Sequence, residues 1–457
     1  MLRFVGPGAR LCDGWNRREV LRAGGLGVLG LAGLDATALA ATPRGRPRSC
    51  IVLFLMGGPP QHSSWDPKPD APAQVRGDFG PIATNVPGIA ICELWKESAK
   101  VADKLCILRA VSTGDNAHSS SGYYMLTGRP HAPMNFENAN PGAPNDAPVL
   151  GALLGQFATD PGRTPLPPAI TLPHRIFNTD GSVWPGQDAG FLGRARDPWL
   201  LNAKLTPAGY RIQELELPAE LDPGRLAGRR GLLDQLARRL EGMDTSAFDA
   251  QARRAFDLVA SSAARRAFRL DEESEATRER YGKTPFGQST LAARRLVEAG
   301  VQLVQVNWYR GPDEPPSNPC WDSHVKESER LKTALVPSAD RALAALVGDL
   351  AERGRLDDTL VVCMAEFGRT PRLDGNGGRG HWGSVFSVVL AGGGVRGGQV
   401  FGASDKIGAY PKEGRVRPED LLATLVHCLG YDPAAEYLDP LGRPHTLSRG
   451  QVLQAIL

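Results

Sequence analysis

The chain of 457 residues carries 53 Lys+Arg and 50 Asp+Glu, a formal net charge of +3, and 42% of its residues are hydrophobic. That hydrophobic fraction supports a large core and excludes an intrinsically disordered chain. The balanced charge argues against a nucleic-acid-binding protein, which concentrates Lys and Arg on one face. The length fits two or three domains, or one large α/β domain with insertions.

The first 40 residues have the pattern of an export signal. Arg17 and Arg18 precede an apolar stretch at 23–34, and Ala38-Leu39-Ala40 provides a cleavage site for signal peptidase. Paired arginines indicate the twin-arginine (Tat) route, with the Tat translocase as partner during export and a periplasmic or extracellular location. A transmembrane helix is the alternative, but the apolar stretch is shorter than the ~20 residues that a span needs. We therefore predict a Tat signal at 1–40 and a folded domain at 41–457.

Continuous apolar runs predict the buried strands of a mainly parallel sheet. These runs are Cys50–Met56, Lys104–Val111, Val301–Trp308, Thr359–Met364 and Val385–Ala391. Helical patterns alternate with them, at Leu226–Glu241, Pro285–Ala299 and Thr333–Arg353. Such alternation is typical of a three-layer α/β/α sandwich. The segment 207–285 has a helical composition throughout, which predicts a helical insertion that caps or flanks the sheet.

Polar clusters follow the first two strands, where open α/β sheets place their sites. Gly57-Gly58 permits a sharp turn after the first strand and brings His62 close to the strand's C-terminal end. After the second strand, His118 is followed by the serines at 119–121. These serines either cap a helix whose N-terminus favours an anion, or serve as caps alone.

The later strands add carboxylates and imidazoles. Asp322 and His324 follow the third strand, Glu366 closes the fourth, and His381 lies shortly before the fifth. An Asp-x-His pair brings a carboxylate and an imidazole within reach of one ion. We predict that one divalent metal ion is bound jointly by Asp322, His324, Glu366 and His381. The alternative is that these are scattered structural polar residues, and the ligand types do not identify the metal.

Several motifs spread along the chain resemble those of a known family. Besides the twin-arginine start, they lie at 57–59, 65–69, 124–129, 280–282, 285–288, 321–324 and 366–371. In these motifs the sequence resembles the bacterial family called domain of unknown function 1501. That family resembles the sulfatase and alkaline phosphatase superfamily, because the segment 126–129 is similar to the end of the sulfatase nucleophile motif. The resemblance implies an alkaline-phosphatase-like fold and a metal site that hydrolyses esters.

The chain departs from the superfamily pattern at the nucleophile and at the first metal ligands. His118 stands where sulfatases have their nucleophilic cysteine, so either His118 or the neighbouring Ser119 is left to act at the substrate. Gly57-Gly58 replaces the usual first acid pair, and Phe367 replaces a second ligand. The resemblance therefore implies one metal ion rather than two.

The function that this resemblance implies is an exported, metal-dependent hydrolase of sulfate or phosphate esters. Its substrate is an anionic ester, with sulfated polysaccharides among the candidates. Arg129 and Arg369 are expected to pair with the anionic group, with structural salt bridges as the alternative for both, and His62 is expected nearby. The alternative function is that of a non-catalytic exported binding or surface protein that kept the fold and lost the nucleophile.

Overall fold

The computed structural model describes residues 49–157, 164–201, 203–212, 256–310, 314 and 319–457, with a few positions between 224 and 235. The predicted Tat signal and most of the predicted helix at 226–241 lie outside these residues. Within the described part of the chain, no helix is both long enough and apolar enough to cross a membrane.

A central sheet organises the described residues. Its strands, in chain order, are β1 Ser49–Phe54, β2 Leu105–Val111, β3 Ala169–Leu172, β4 Trp199–Leu200, β5 Leu303–Asn307, β6 Thr359–Met364, β7 Phe386–Ala391 and β8 Gln399–Phe401. Their order in space is β8-β2-β7-β6-β1-β5-β3-β4. Strand β7 runs antiparallel to both neighbours, and the other described pairs are parallel. The apolar runs correspond to β1, β2, β5, β6 and β7, so the mainly parallel sheet is confirmed.

Helices cover this sheet. They are α1 His118–Thr127, α2 Leu150–Phe157, α3 Ser262–Ala267, α4 Glu275–Tyr281, α5 Pro285–Glu298, α6 Val336–Glu352 and α7 Pro418–Cys428. Every residue of β1 and β6 is buried, which requires cover on both faces of the sheet. Helices α4, α5 and α6 pack against one another, and α1 packs against α7. The predicted three-layer α/β/α sandwich is confirmed.

Short elements complete the described structure. Single α-helical turns lie at Ala73–Arg76, Lys96–Ala99 and Glu327–Arg330, and a π-helical turn at Leu331–Leu335 leads into α6. The 3₁₀ turns are Gln61–Ser63, Ala102–Lys104, Gly190–Leu192, Arg194–Arg196, Leu270–Glu272 and Gln454–Ile456. Two-stranded pairs join Pro81–Ala83 with Ala90–Cys92, Lys204–Thr206 with Gly209–Arg211, Gly368–Arg369 with His381–Trp382, Ala403–Ser404 with Pro411–Glu413, and Glu436–Leu438 with Pro444–Thr446.

The segment 207–285 differs locally from the helical prediction. It starts in a hairpin, in which Lys204–Thr206 pairs with Gly209–Arg211, and becomes helical in α3 and α4. Gly209 has a φ of +112°, and a Cβ there would lie 2.2 Å from the carbonyl oxygen of Phe268. The prediction overlooked this turn, which a glycine makes possible. The role of the segment as an insertion remains a prediction.

The strand directions bring the loops of interest to one edge of the sheet. Strands β1, β2, β5 and β6 point the same way, so their carboxyl ends share that edge. Because β7 runs the opposite way, the segment before it, including His381, reaches the same edge. Trp321 is tied to the end of β1 by its backbone N–H, which donates to the carbonyl oxygen of Met56 at 2.9 Å.

The turn after β1 requires a glycine at position 57. Gly57 has a φ of +109°, and a Cβ there would lie 2.3 Å from the backbone nitrogen of Asp322. We expect Gly57→Ala to lower the free energy of unfolding by at least ~2 kcal/mol, because positive φ is strained with a Cβ and the facing backbone must also move. Chemical denaturation measures this change.

Gly375→Ala is the matched control, because a Cβ at Gly375 would have no atom within 4 Å. We expect it to change the free energy of unfolding by no more than ~0.5 kcal/mol. Equal, small effects of the two substitutions would show that the turn tolerates a side chain.

Candidate metal centre

Helix α1 places the imidazole of His118 at the edge of the sheet that the carboxyl ends of β1, β2, β5 and β6 share. The side chain of Asp115 accepts hydrogen bonds from the backbone N–H of Ala117 and from the Ser120 hydroxyl, both at 2.9 Å, and so holds the start of the helix. His118 is the first helical residue and is buried. Its ring centroid lies 4.8 Å from that of Phe367, which packs beneath it.

Glu366 lies behind His118 and fixes its orientation. The buried carboxylate accepts hydrogen bonds at Oε1 from His118 Nδ1 at 2.7 Å and from the backbone N–H of Gly57 at 2.9 Å. Because a carboxylate only accepts, Nδ1 of His118 carries the proton and Nε2 faces away from Glu366. Glu366 was expected among the metal ligands, whereas in the structure its carboxylate bonds to His118 Nδ1, on the side of the ring opposite to Asp322.

Asp322 lies at the centre of three imidazoles. Its Oδ2 is 3.1 Å from His118 Nε2, and its Oδ1 is 2.9 Å from His324 Nε2 and 3.2 Å from His381 Nε2. His324 and His381 also approach each other, with their Nε2 atoms 2.9 Å apart. The structure thus brings together three of the residues predicted to bind a metal, and His118 joins them.

Hydrogen bonds determine which ring nitrogens face this centre. His381 Nδ1 donates to the carbonyl oxygen of Asn116 at 2.8 Å, which leaves a lone pair on Nε2 of the neutral ring. Burial, opposed in part by Asp322, lowers the pKa of His381 and favours that neutral form. Two acceptors, His381 Nε2 and Asp322 Oδ1, therefore face each other at 3.2 Å. Such an arrangement is unfavourable without positive charge, and Arg369, which donates to Asp322 Oδ1 at 2.7 Å, supplies it on the carboxylate side only.

The pKa shifts of His118 and Asp322 favour a protonated imidazole next to an ionised carboxylate. Burial alone would lower the pKa of His118, but the carboxylates of Asp322 and Glu366 raise it above its ordinary value. Burial would raise the pKa of Asp322, yet the imidazoles, with His118 first, hold it far below its usual range. His118 Nε2 is nevertheless not aligned for a hydrogen bond, although it lies 3.1 Å from Asp322 Oδ2. A divalent cation would supply the positive charge in place of the second proton on the His118 ring.

The residues fit such a cation. The ligand atoms of His118, Asp322 and His381 all lie within 4.8 Å of one another. His118 and His381 donate their other ring N–H to a carboxylate and to a backbone carbonyl, as metal-binding histidines commonly do. Imidazole nitrogen and carboxylate oxygen suit zinc, manganese or iron. His324, whose side chain is 48% exposed, lies at the rim and offers a further nitrogen.

Arg369 was expected to bind substrate, but the structure uses it to hold the site together. Its guanidinium is fully buried and donates to Asp322 Oδ1 at 2.7 Å. It also donates to the backbone carbonyl oxygens of Gly57, Gly58, Trp321 and Arg379. These bonds fasten the turn after β1 to the loop that carries Asp322.

The serines at the start of α1 do not cap the helix, contrary to the prediction. Ser119 Oγ donates to the carbonyl oxygen of Phe136 at 3.1 Å and accepts from the N–H of Ala139 at 2.9 Å, so it is engaged with a loop. The N-cap residue, Ala117, has no side-chain cap, and Ser121 Oγ donates to the carbonyl oxygen of Glu366 at 2.6 Å. The serines therefore bind α1 to its neighbours.

Arg129 and His62 bond to other parts of the fold. Arg129 donates to the carbonyl oxygen of Thr446 at 3.1 Å. His62 Nε2 donates to the carbonyl oxygen of Ile407 at 2.8 Å, and burial is the main cause that lowers the pKa of His62 to about 3. Neither of these hydrogen bonds involves a residue of the candidate centre, which consists of His118, Asp322, His324 and His381.

Three residues at the site were absent from the sequence-based prediction. Asn116 provides the carbonyl that orients His381. Glu137 Oε1 accepts from the backbone N–H of His118 at 2.8 Å and lies 3.8 Å from His381 Nδ1. Arg310 lies 3.7 Å from Asp322. Its position shortly after a strand end was a usable signal, whereas the return of Glu137 along a loop had none.

Comparisons with protein families give a match over nearly the whole chain. Residues 47–457, which are 411 of the 457, match the family model described as "Protein of unknown function (DUF1501)". No curated protein matches the chain.

The chain is also similar to several solved structures at low sequence identity. A sulfatase from Pseudoalteromonas sp. is 13% identical, over 93% of this chain and 73% of that chain, with a TM-score of 0.36. A putative sulfatase from Bacteroides thetaiotaomicron is 10% identical, over 89% and 74%, with a TM-score of 0.41. The phosphonate monoester hydrolase of Agrobacterium radiobacter is 12% identical, over 89% and 76%, with a TM-score of 0.40.

Proposed function

The chain belongs to the DUF1501 family of proteins of unknown function, and we propose that it is an exported, metal-dependent hydrolase of sulfate or phosphate esters. One observation carries this proposal: acceptor atoms of Asp322 and His381 face each other 3.2 Å apart, beside Nε2 of His118, which has no hydrogen-bond partner within the described part of the chain. A built cluster of facing acceptors is costly unless a cation is bound or a ring is protonated.

In this proposal His118, Asp322 and His381 hold one divalent ion, and His324 closes the set at the rim. When bound, such an ion polarises an ester oxygen and lowers the pKa of a water molecule. Glu366 keeps the proton on Nδ1 of His118, so that Nε2 stays available. Phe367 packs against the rings of His118 and His381, at centroid distances of 4.8 and 4.6 Å, and excludes water from that side.

The same geometry bears on the attacking group. The hydroxyl of Ser119 is engaged by Phe136 and Ala139, so it is not free to act on a substrate at the centre. His118 has Asp322 in front of it and Glu366 behind it, which suits a metal ligand. We therefore assign the attack to water rather than to Ser119. The predicted export signal favours an extracellular ester, such as one carried on a polysaccharide.

Substitution of Glu366 tests the proposed chemistry. We expect the purified protein, loaded with zinc or manganese, to hydrolyse 4-nitrophenyl sulfate or 4-nitrophenyl phosphate, and a chelator to abolish this activity. Glu366→Gln should lower kcat/KM by about 10–100-fold, because loss of a carboxylate behind a metal-binding histidine weakens the site by that order. The measurement is the initial rate at several substrate concentrations.

Glu436→Gln is the control, because Glu436 is exposed on the strand Glu436–Leu438, which belongs to a separate two-stranded pair. It should leave kcat/KM unchanged. A folded, metal-loaded protein that hydrolyses neither ester would contradict the proposal and favour a non-catalytic binding protein.

A further inference from the structure

Arg310 places a second guanidinium, with an unused Nη1 donor, beside the candidate metal centre. It follows β5 by three residues, at the same edge of the sheet as the centre. Its side chain is 6% exposed, its Nη2 lies 3.7 Å from Asp322 Oδ2, and its Nη1 has no hydrogen-bond partner among the residues that the structure describes. A buried guanidinium nitrogen without an acceptor is costly, which indicates that an acceptor is missing.

Two other arginines, Arg129 and Arg369, were expected from the sequence to bind the anionic group of the substrate, and both differ from Arg310. Arg369 donates to Asp322 and to four backbone carbonyls, so its guanidinium is held within the protein by five hydrogen bonds. Arg129 is bonded to Thr446. Of these three arginines, only Arg310 combines burial, nearness to the centre and an unsatisfied donor.

The surrounding charges explain why an anion needs this residue. Asp322, Glu366 and Glu137 place three carboxylates around the histidines, and Arg369 is already committed to Asp322. An approaching anionic oxygen would be repelled unless a cation other than the metal received it. A guanidinium receives the oxygens of a sulfate or phosphate group well, because its planar donors match their geometry.

We propose that Arg310 binds the tetrahedral anionic group of the substrate, a sulfate or phosphate ester, beside the metal ion. This rests on the proposed function and names the residue that recognises the anion. It also replaces Arg129 and Arg369 in the role that the sequence suggested for them. Arg310 touches the substrate in this assignment, while His118, Asp322 and His381 hold the metal.

The test measures binding of inorganic sulfate and, separately, inorganic phosphate to the metal-loaded protein by calorimetry. Arg310→Gln should weaken binding of the preferred anion by about tenfold or more, since hydrogen bonds to charged groups are among the strong ones. Arg310→Lys keeps the charge and should lose less. The separate anions show whether the site accepts sulfate, phosphate or both. The exposed Arg372 provides the control, Arg372→Gln, which should bind as the wild type does.

Two further readouts separate this inference from the proposed function. Metal content should be unchanged in Arg310→Gln, and the rise in Tm that the anion produces in the wild type should be lost. Wild-type anion affinity in Arg310→Gln, or no affinity for either anion in the wild type, would overturn the role of Arg310. Anion binding that depends on Arg310 in a protein that binds no metal would support this inference while contradicting the metal-dependent hydrolase.

Discussion

Replacing Asp322 by Asn will weaken binding of a divalent ion by at least ~100-fold. Substitution of a residue that only hydrogen-bonds to a metal ligand already lowers metal affinity by about 10–100-fold, and Asp322 is proposed as a ligand itself. Asp322 is the carboxylate that lies between the imidazoles, within 3.2 Å of Nε2 of each of them. Asn keeps the size of the side chain but removes the negative charge and one acceptor oxygen. Calorimetric titration with zinc and with manganese gives the two dissociation constants.

Asp357→Asn is the matched control for this loss of charge. Asp357 is exposed and precedes β6, whereas Glu366 and the candidate metal centre lie beyond the other end of that strand. Its substitution should leave the dissociation constant unchanged. If Asp322→Asn bound zinc and manganese within ~3-fold of the wild type, Asp322 would not be a metal ligand, because substitutions even of residues that only orient a ligand change the affinity by about 10–100-fold.

The largest loss of stability is expected for Arg369→Ala. The substitution leaves four buried carbonyl oxygens and one oxygen of Asp322 without their shared donor. Removal of one partner of a buried ion pair costs about 3–5 kcal/mol, and we expect a loss of that size in the free energy of unfolding. Urea denaturation in the presence of a chelator measures it without a contribution from bound metal.

Two other arginine substitutions sharpen this result. Arg369→Lys should recover little, because one ammonium group cannot reach acceptors that a planar guanidinium bridges. Arg372→Ala, at an exposed neighbouring position, should change the free energy of unfolding by less than ~0.5 kcal/mol. A loss below ~1 kcal/mol in Arg369→Ala would mean that water replaces the guanidinium at small cost.

The central strands were predictable because a strand buried on both faces leaves a simple record. The residues of β6 that follow Thr359 are apolar without alternation, and the strand was recognised with its observed bounds, Thr359–Met364. The hairpin at Gly209–Arg211 was missed, because its residues lie at the start of a segment whose overall composition is helical. A local turn contributes too few residues to alter such a pattern.

The convergence of Asp322, His324 and His381 was also predictable, since the ends of parallel strands share one edge. What the sequence did not contain was the direction of each side chain. Glu366 comes from the predicted strand end, but its carboxylate points to Gly57 and His118. Such second-layer placement depends on the packing of three loops, which no spacing along the chain reveals.

The proposed hydrolase requires a bound metal ion, and elemental analysis of the protein purified without chelator tests this requirement. We expect about one divalent ion per chain in the wild type and a loss of that ion in Asp322→Asn, because ligand number and charge set the affinity of such sites. A well-folded wild type without metal, and with no affinity for added zinc or manganese, would contradict it.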